Sequence, residues 1–358
     1  GNTMANKFHE DEFDMSGSIF DVYDCGNEES AVSSIWVKVE PAASVDYDGG
    51  EGQLCAFTAP NVYVDSSIPQ ECLDEGCGFQ NNPFKSLART FEMINATDSN
   101  PITIHLAAGT YSPETGETFP IIMISNVNIQ GEDEATTILD AQSTQKGIVM
   151  ENCNNNSISD LIITGALSAY PDGFGGGMYI YNSNPTLTHM AITNNRADAF
   201  GGGMYIYNSN PTLTHVNISD NMGRYAGGGM HLSYSNPRMT HVNISNNMLE
   251  YEFASAGSNI AGVGMYLYYS NPTLSHVTIS GNTTSDGSCG GMCISNSNPT
   301  LTHVNITNNT ANGGGGGMSL DASNPTLTNS ILWGNIPESI SIYLFSGTPL
   351  ITYSDVEG

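Results

Sequence analysis

Histidine is the residue whose spacing in this chain first suggests chemistry. Five histidines end a recurring PTLTH-like segment, and they are His189, His215, His241, His276 and His303. A column of imidazoles suggests a metal site, because imidazole is the commonest metal ligand in proteins. Asp160 and Asn329 stand at the same position in the flanking repeats. His, Asp and Asn are enriched in left-handed backbone, so we favour a structural corner over a metal site.

Tyrosines form a second repeated set, on a segment that reads MYIY in two of the repeats. Strand alternation places Met204 and Ile206 on one face and the tyrosines on the other. The outward set is Tyr179, Tyr181, Tyr205, Tyr207, Tyr266 and Tyr268. Exposed aromatic rings on a sheet can stack on sugars or dock a protein. Loops or the N-terminal extension could instead cover these rings, and the sequence leaves both readings open.

A repeat is the element that positions these side chains. Its anchor proline recurs at Pro185, Pro211, Pro237, Pro272, Pro299 and Pro325. A period in this range indicates a solenoid. Each repeat holds three short segments of alternating apolar residues and no helical period, so the copies should stack as parallel neighbours. The predicted fold class is therefore all-β: a single right-handed parallel β-helix with three short strands per coil.

Asparagine forms a third repeated set. Its members are Asn195, Asn221, Asn247, Asn282, Asn309 and Asn335, which we predict to be a ladder of stacked amides. A different pattern, Asn-x-Ser/Thr, marks candidate N-glycosylation sites. These candidates are Asn217, Asn243, Asn282 and Asn305.

The chain divides into two predicted regions. Residues 1–60 form an acidic, cysteine-containing extension in which SSIWVKVE alternates like a strand that needs a sheet edge. Residues 61–358 form the β-helix, with regular coils over about 175–358 and a capping helix over about 82–96. In the extension, Asp46 and Asp48 are two residues apart and precede two glycines, a pattern that loosely resembles a Ca²⁺-binding loop. We favour the interpretation that this segment is a plain turn. Ca²⁺ is the one cofactor that the sequence suggests.

Charge and cysteine content narrow the classes of partner and environment. The chain has 36 acidic and 8 basic residues, a net charge of −28, so nucleic acid and anionic membranes are excluded as partners. No apolar run is long enough for a transmembrane helix, which predicts no membrane insertion. The 7 cysteines suit disulfides in a secreted protein, with at least one thiol left over.

The segment after residue 60 resembles a known family. The stretches NVYVDSS, GCGFQNNPFKSLARTFEMI and ITIHLAAGTYS resemble the opening of secreted pectate-lyase-like right-handed β-helix proteins. The downstream GG-apolar and I-x-x-N pairs resemble repeats of the polymorphic outer-membrane protein type. This resemblance implies the β-helix fold and an extracellular or cell-surface location. The first residue, Gly1 rather than Met, suits a secreted protein whose signal peptide has been removed, or a cloning scar. It leaves the activity open, because the superfold hosts lyases, hydrolases, adhesins and structural proteins.

We predict an extracellular structural or adhesive β-helix that self-assembles into a filament, sheath or surface layer. Its partners would be copies of itself, with residues 1–60 lending a strand to a neighbour and the uncapped last coil offering a sheet edge. The alternative is a β-helix that binds or cleaves a polysaccharide. Near-identical repeats argue against a catalytic site, and no catalytic residue is assigned. The long insertion at Met248 to Val263 breaks the symmetry, and its candidate loop site is Glu250, Tyr251 and Glu252.

Overall fold

The structure is a computed structural model. It describes residues 59–71, 77–250, 262–285, 289–342 and 347–357, together with the backbone of three strands closer to the N-terminus. The predicted Ca²⁺ residues Asp46 and Asp48, and the predicted loop residues Tyr251 and Glu252, lie outside these residues.

The secondary structure is almost entirely β. The first strands are β1 (Val22–Asp24), β2 (Ser34–Val37), β3 (Gln53–Leu54), β4 (Asn61–Val64), β5 (Ile102–Leu106), β6 (Gly109–Tyr111), β7 (Ile121–Ile122), β8 (Val127–Gly131), β9 (Thr137–Asp140), β10 (Ile148–Glu151), β11 (Ser157–Thr164), β12 (Leu167–Ser168), β13 (Met178–Tyr181), β14 (Thr186–Thr193), β15 (Arg196–Ala197), β16 (Met204–Tyr207) and β17 (Thr212–Ser219). The remaining strands are β18 (Met222–Gly223), β19 (Met230–Ser233), β20 (Arg238–Thr240), β21 (Asn243–Ser245), β22 (Met248–Leu249), β23 (Met265–Tyr268), β24 (Thr273–Ser275), β25 (Thr278–Ser280), β26 (Met292–Ser295), β27 (Thr300–Thr302), β28 (Asn305–Thr307), β29 (Thr310–Asp321), β30 (Thr326–Thr328), β31 (Ile331–Trp333), β32 (Ile336–Ile342), β33 (Leu350–Thr352) and β34 (Asp355–Val356). One α-helix, α1 (Leu87–Met93), and one 3₁₀ turn, Pro113–Thr115, complete the described elements.

Most strands from β4 onward form the three faces of a right-handed parallel β-helix, as the sequence predicts, and β12, β15, β18 and β22 form a further short sheet. Face A is the nine-stranded sheet β7-β10-β13-β16-β19-β23-β26-β29-β32. Face B contains the TLT-like strands such as β20, and face C the NIS-like strands such as β21. In β11, β14 and β17 a single strand of eight residues runs through the corner between faces B and C. The prediction of three short strands per coil is therefore confirmed, with these pairs merged in three coils.

Apolar columns hold the coils together. The register pairs Met178 with Met204 and Met204 with Met230, so like residues stack along the axis. All three are fully buried, and the inward Leu, Ile and Val columns behave in the same way. Burying a side chain of this size stabilises a fold by roughly 1.5–3 kcal/mol. The repeat thus supplies its own core, coil by coil.

The predicted capping helix is present but shorter than predicted. It covers Leu87–Met93 rather than 82–96, because Ser86 caps it by accepting a hydrogen bond from Arg89 N. Phe84 lies before the cap in extended backbone that bridges to Val64, and its ring is buried. The Glu117 carboxylate accepts hydrogen bonds from Leu87 N at 2.7 Å and from Ala88 N, which fixes the helix against the first coils.

A separate small sheet precedes the β-helix. Its order is β1-β2-β3, with β2 antiparallel to β1 and parallel to β3. The predicted strand in SSIWVKVE therefore finds partners on both edges within its own chain. Strand exchange with a neighbouring copy stays a prediction.

Candidate functional site

Face A carries two outward columns of side chains, because strand alternation turns every second residue away from the core. In β13, β16, β19 and β23 the first column is Tyr179, Tyr205, His231 and Tyr266. The second column is Tyr181, Tyr207, Ser233 and Tyr268. The parallel register stacks like residues directly above one another. All six predicted tyrosines therefore lie on one face.

The first column is largely covered. The Phe174 ring lies 5.0 Å from the Tyr205 ring between centroids, and the Nζ atom of Lys146 sits 4.4 Å above the Tyr179 ring. Burial raises the pKa of Tyr205 and that of Tyr266 to about 12 each. The covering groups come from the corner segments between strands. The first column thus behaves as a second, aromatic layer on the sheet.

His231 is the unusual member of the first column. Its ring is 7% exposed and lies between Tyr205 at 5.1 Å and Tyr266 at 4.9 Å, with Phe200 at 4.9 Å. Its Nδ1 atom has no hydrogen-bond partner among the described residues. Burial lowers the pKa of His231 to about 3, so its ring is neutral at physiological pH.

The tyrosines of the second column are half-buried, and the column continues into an exposed corner. Tyr234 and Tyr269 follow β19 and β23, and each ring is 47% exposed. Their rings stack at 5.4 Å with an interplanar angle of 6°, and Tyr269 meets Tyr268 edge-on at 4.7 Å. Tyr207 reaches Tyr234 at 5.8 Å and Tyr181 at 5.3 Å. We name these five residues, Tyr181, Tyr207, Tyr234, Tyr268 and Tyr269, the tyrosine cluster.

Reasoning from sequence missed the two corner tyrosines. Tyr234 and Tyr269 have left-handed backbone, with φ of 51° and 46°. In the two preceding coils the same corner holds Asn182 and Asn208, also left-handed. The sequence signal was the change from NSNP to YSNP. In this change tyrosine replaces asparagine, which is the residue better suited to left-handed backbone.

Carboxylates flank the second column at both ends. At one end, Glu151 is the register partner of Tyr181. At the other end, Tyr268 pairs with Ser295, and Ser295 pairs with Asp321. The Asp321 Oδ2 atom accepts from Ser295 Oγ at 3.3 Å, whereas its Oδ1 atom is buried and has no partner within the described part of the chain. The outward column therefore runs from one acidic group through the tyrosines to another.

The histidine column forms the corner between faces B and C. All five rings are exposed, and neighbouring centroids are 4.7–5.0 Å apart. Their φ values are 50° to 55°, and Asp160 and Asn329 in the same corner have φ of 60° and 51°. The left-handed backbone thus accounts for the residue types. A shallow groove of about 310 Å³ beside His276 and His303 is lined also by Thr278, Asn305 and Asn329.

The stacked geometry is unsuited to a shared metal ion. Parallel rings about 5 Å apart direct their nitrogens side by side, whereas two nitrogens on one zinc ion, each about 2 Å from it, lie closer together. Within the described ranges, no three His, Cys, Asp or Glu side chains are arranged to hold a metal ion.

The predicted asparagine ladder is continuous and buried. Its six members are at most 6% exposed. In the middle of the ladder, Asn247 donates from Nδ2 to Ile218 O and Asn282 Oδ1, and its own Oδ1 accepts from the N and Nδ2 atoms of Asn221. Each amide therefore satisfies its own polar groups and those of its neighbour. As a glycosylation candidate Asn282 is wrong for the folded chain, because its Nδ2 is buried and donates to Ile244 O and Asn309 Oδ1.

The other glycosylation candidates lie on face C. Asn305 is exposed, while Asn217 and Asn243 are half-buried and joined by a hydrogen bond of 2.8 Å. In the predicted loop site, Glu250 forms an ion pair with Arg196 at 2.8 Å. Among the cysteines of the described residues, Cys289 and Cys293 form a disulfide, Cys77 is disulfide-bonded, and Cys153 is a buried free thiol.

These features define a class of protein: a parallel β-helix with polar ladders inside its corners and an open aromatic cluster on one face. The chain belongs to the family DUF1565, described as a protein of unknown function, whose model matches residues 72–311. No curated protein matches the chain.

Two solved structures are similar to the chain over most of its length. The chain is similar to a pectin methylesterase from carrot, with 10% identity over 83% of this chain and 90% of that chain, and a TM-score of 0.46. It is also similar to PfbA, a surface adhesin of Streptococcus pneumoniae, with 8% identity over 70% and 81% and a TM-score of 0.41. Identities this low say nothing of activity. The finer resemblance to polymorphic outer-membrane protein repeats stays a prediction. Among the described residues no helix is long and apolar enough to cross a membrane.

Proposed function

We propose that this chain is an extracellular adhesive β-helix that binds a polysaccharide along the tyrosine cluster. The observation that carries the proposal is the contact between two exposed rings, Tyr234 and Tyr269, at a corner that Asn fills in four other coils and Ala322 in a fifth. A tyrosine ring has a flat apolar face and a polar hydroxyl group, which suits a ligand that has both apolar and polar surfaces. The C–H face of a pyranose ring is such a surface.

The repeating geometry favours a repeating ligand. Ring centroids in the cluster are 5.3 Å apart between Tyr181 and Tyr207 and 5.4 Å apart between Tyr234 and Tyr269. Neighbouring strands along the axis are about 4.8 Å apart. Tyr181, Tyr207, Tyr234 and Tyr269 therefore place one ring per coil in four successive coils. A linear polymer of sugar rings can occupy several such positions at once, which adds affinity without a deep pocket.

Cleavage of the polysaccharide has less support than binding. The described residue of the predicted loop site, Glu250, is held by Arg196 rather than directed at the tyrosines. The two carboxylates that flank the second column, Glu151 and Asp321, are separated by six strand steps, about 29 Å. The paired carboxylates of glycosidases lie within about 10 Å of each other.

The test is a binding measurement with matched variants. Tyr234→Asn combined with Tyr269→Asn restores the residue of the preceding coils and removes both exposed rings. At about 1 kcal/mol per ring, affinity for a bound polysaccharide should fall roughly thirty-fold. Tyr353→Asn is the control, because Tyr353 is also left-handed (φ 50°) and 89% exposed but lies in the corner of the histidine column. Equal affinity of wild type and the double variant for every polysaccharide tested would refute the proposal.

Self-association is a second candidate, favoured by apolar residues on outward positions of the later coils. Ile331 and Trp333 are 45% and 52% exposed, where the preceding coil carries Asn305 and Thr307. Exposed apolar patches of this kind mark contact surfaces. Sedimentation of the variant Ile331→Asn with Trp333→Thr should show less association than wild type, and an unchanged profile would argue against this surface.

A further inference from the structure

We infer that the polysaccharide bound by the tyrosine cluster is one that carries free amino groups, such as a polymer of glucosamine. This inference rests on the proposed function and names the chemical class of its ligand. It is argued from three features of the described residues: the charge around the cluster, an ammonium group already seated on face A, and the spacing of the rings.

The charge of the surroundings selects against anionic polymers and for cationic ones. The chain as a whole carries a net charge of −28. Locally, Glu151 and Asp321 end the column that contains Tyr181, Tyr207 and Tyr268. A field of one sign raises the local concentration of ligands of the opposite sign.

Face A already shows how an ammonium group is held. Lys146 Nζ lies 4.4 Å above the Tyr179 ring and 2.6 Å from the Asp172 carboxylate. The ammonium therefore meets an aromatic face and a carboxylate together, the arrangement in which cation–π attraction and ion pairing add. Tyr181 beside Glu151 offers a ligand amine the same two partners one column away.

The spacing favours sugar units over a basic peptide. Same-side side chains of an extended peptide recur at roughly 6.6–6.8 Å, because side chains alternate along a strand. Along the row Tyr181, Tyr207, Tyr234 and Tyr269, successive ring centroids are 5.3, 5.8 and 5.4 Å apart. A sugar polymer can place one ring and one amine in each step of this length, so successive units meet successive tyrosines and the amines follow the acidic groups.

The experiment compares two hexamers with the same backbone. Calorimetric titration of the full chain at pH 6 uses the glucosamine hexamer and the N-acetylglucosamine hexamer, which differ only in the charge and acetylation of the amine. We expect the free amine to bind at least tenfold more tightly and to weaken as salt rises. Glu151→Gln and Asp321→Asn, tested singly, should each reduce the affinity for the free amine about fivefold and leave the acetylated hexamer unchanged.

The outcomes separate the two proposals. If both hexamers bind equally and the charge variants have no effect, the amine inference is wrong while the tyrosine site stands. If neither hexamer binds, the amine inference is wrong, and the proposed function is then decided by the double variant with the other polysaccharides. If a hexamer binds and Tyr234→Asn with Tyr269→Asn does not change its affinity, the proposed tyrosine site fails and the inference with it. A lysine-rich peptide that binds more tightly than the glucosamine hexamer, with the same response to the variants, would overturn the inference in favour of a basic protein partner. Circular dichroism and melting temperature show whether each variant is folded.

Discussion

The buried imidazole of His231 should make the folded chain sensitive to acid. The unfolded ring accepts a proton near its ordinary pKa of 6.5, whereas burial among Phe200, Tyr205 and Tyr266 lowers the folded pKa to about 3. Between these two values the unfolded state binds the additional proton. Stability therefore rises with pH through this window and is lost as the pH falls through it.

The magnitude follows from the difference in pKa. At pH 5 the unfolded state gains about 2 kcal/mol from protonation of His231 that the folded state cannot match. At pH 3 the difference grows to about 4 kcal/mol, because the folded ring is by then itself half protonated. Because marginal stability is roughly 5–15 kcal/mol for a domain, the effect at pH 5 is measurable and the effect at pH 3 is large.

His231→Tyr is the variant that isolates this contribution. Tyrosine is the residue of the neighbouring coils at this position, and it does not titrate between pH 3 and 7. Urea unfolding of both proteins at pH 7, 6, 5 and 4 gives the difference in unfolding free energy, in which carboxylates common to both proteins cancel. Any packing cost of the larger ring is constant with pH. We expect the difference to move by about 2 kcal/mol in favour of the variant between pH 7 and 5. Parallel pH profiles would show that the ring of His231 is not held neutral, and would refute the reasoning.

Two further predictions concern the ladders. Asn247→Ala should cost about 3–5 kcal/mol of unfolding free energy, because it leaves buried donors of Asn221 and the carbonyl of Ile218 without partners. The exposed Asn236→Ala, which removes one solvent-facing bond, should cost under about 1 kcal/mol in the same urea assay; similar costs for the two would contradict the buried ladder. In the histidine column, His215→Asn should change thermal stability by less than about 0.5 kcal/mol, whereas His215→Val should cost about 1–3 kcal/mol because a β-branched residue strains the left-handed backbone. A large loss in His215→Asn would mean that the imidazole itself has a structural role.

The sequence was sufficient to predict the fold because each position of the repeat occurs in several copies, which can be compared. A period-two pattern in one copy is ambiguous, but the same pattern in six copies fixes which face is buried, as the buried Met204 and the outward Tyr205 show. The asparagine ladder was predictable for the same reason: Asn247 and its equivalents follow a strand at constant spacing. Such regularity arises because stacked coils impose one environment on one position.

The solvent exposure of the tyrosines on face A could not be predicted from the repeat. Whether Tyr205 is covered depends on Phe174, which stands in a corner segment outside the strand pattern. The salt bridge of Glu250 with Arg196 likewise joins two coils through segments whose lengths vary. Corner segments do not follow the period of the strands, so their contacts appear only in three dimensions.

The corner tyrosines depart from the repeat although their backbone favours asparagine, which points to a functional site. Asn208 in this corner donates to Asn182 at 2.6 Å. Asparagine therefore suits the left-handed backbone and also forms an exposed row of hydrogen bonds, distinct from the buried asparagine ladder. Tyr234 and Tyr269 interrupt this exposed row, occupy an unfavourable backbone region and expose aromatic rings to water. Each substitution back to Asn should therefore raise the unfolding free energy, by about 1 kcal/mol, while it weakens binding. A protein that gains stability and loses affinity through the same change has retained its tyrosines for the ligand, and a variant that loses both would instead assign the rings to the fold.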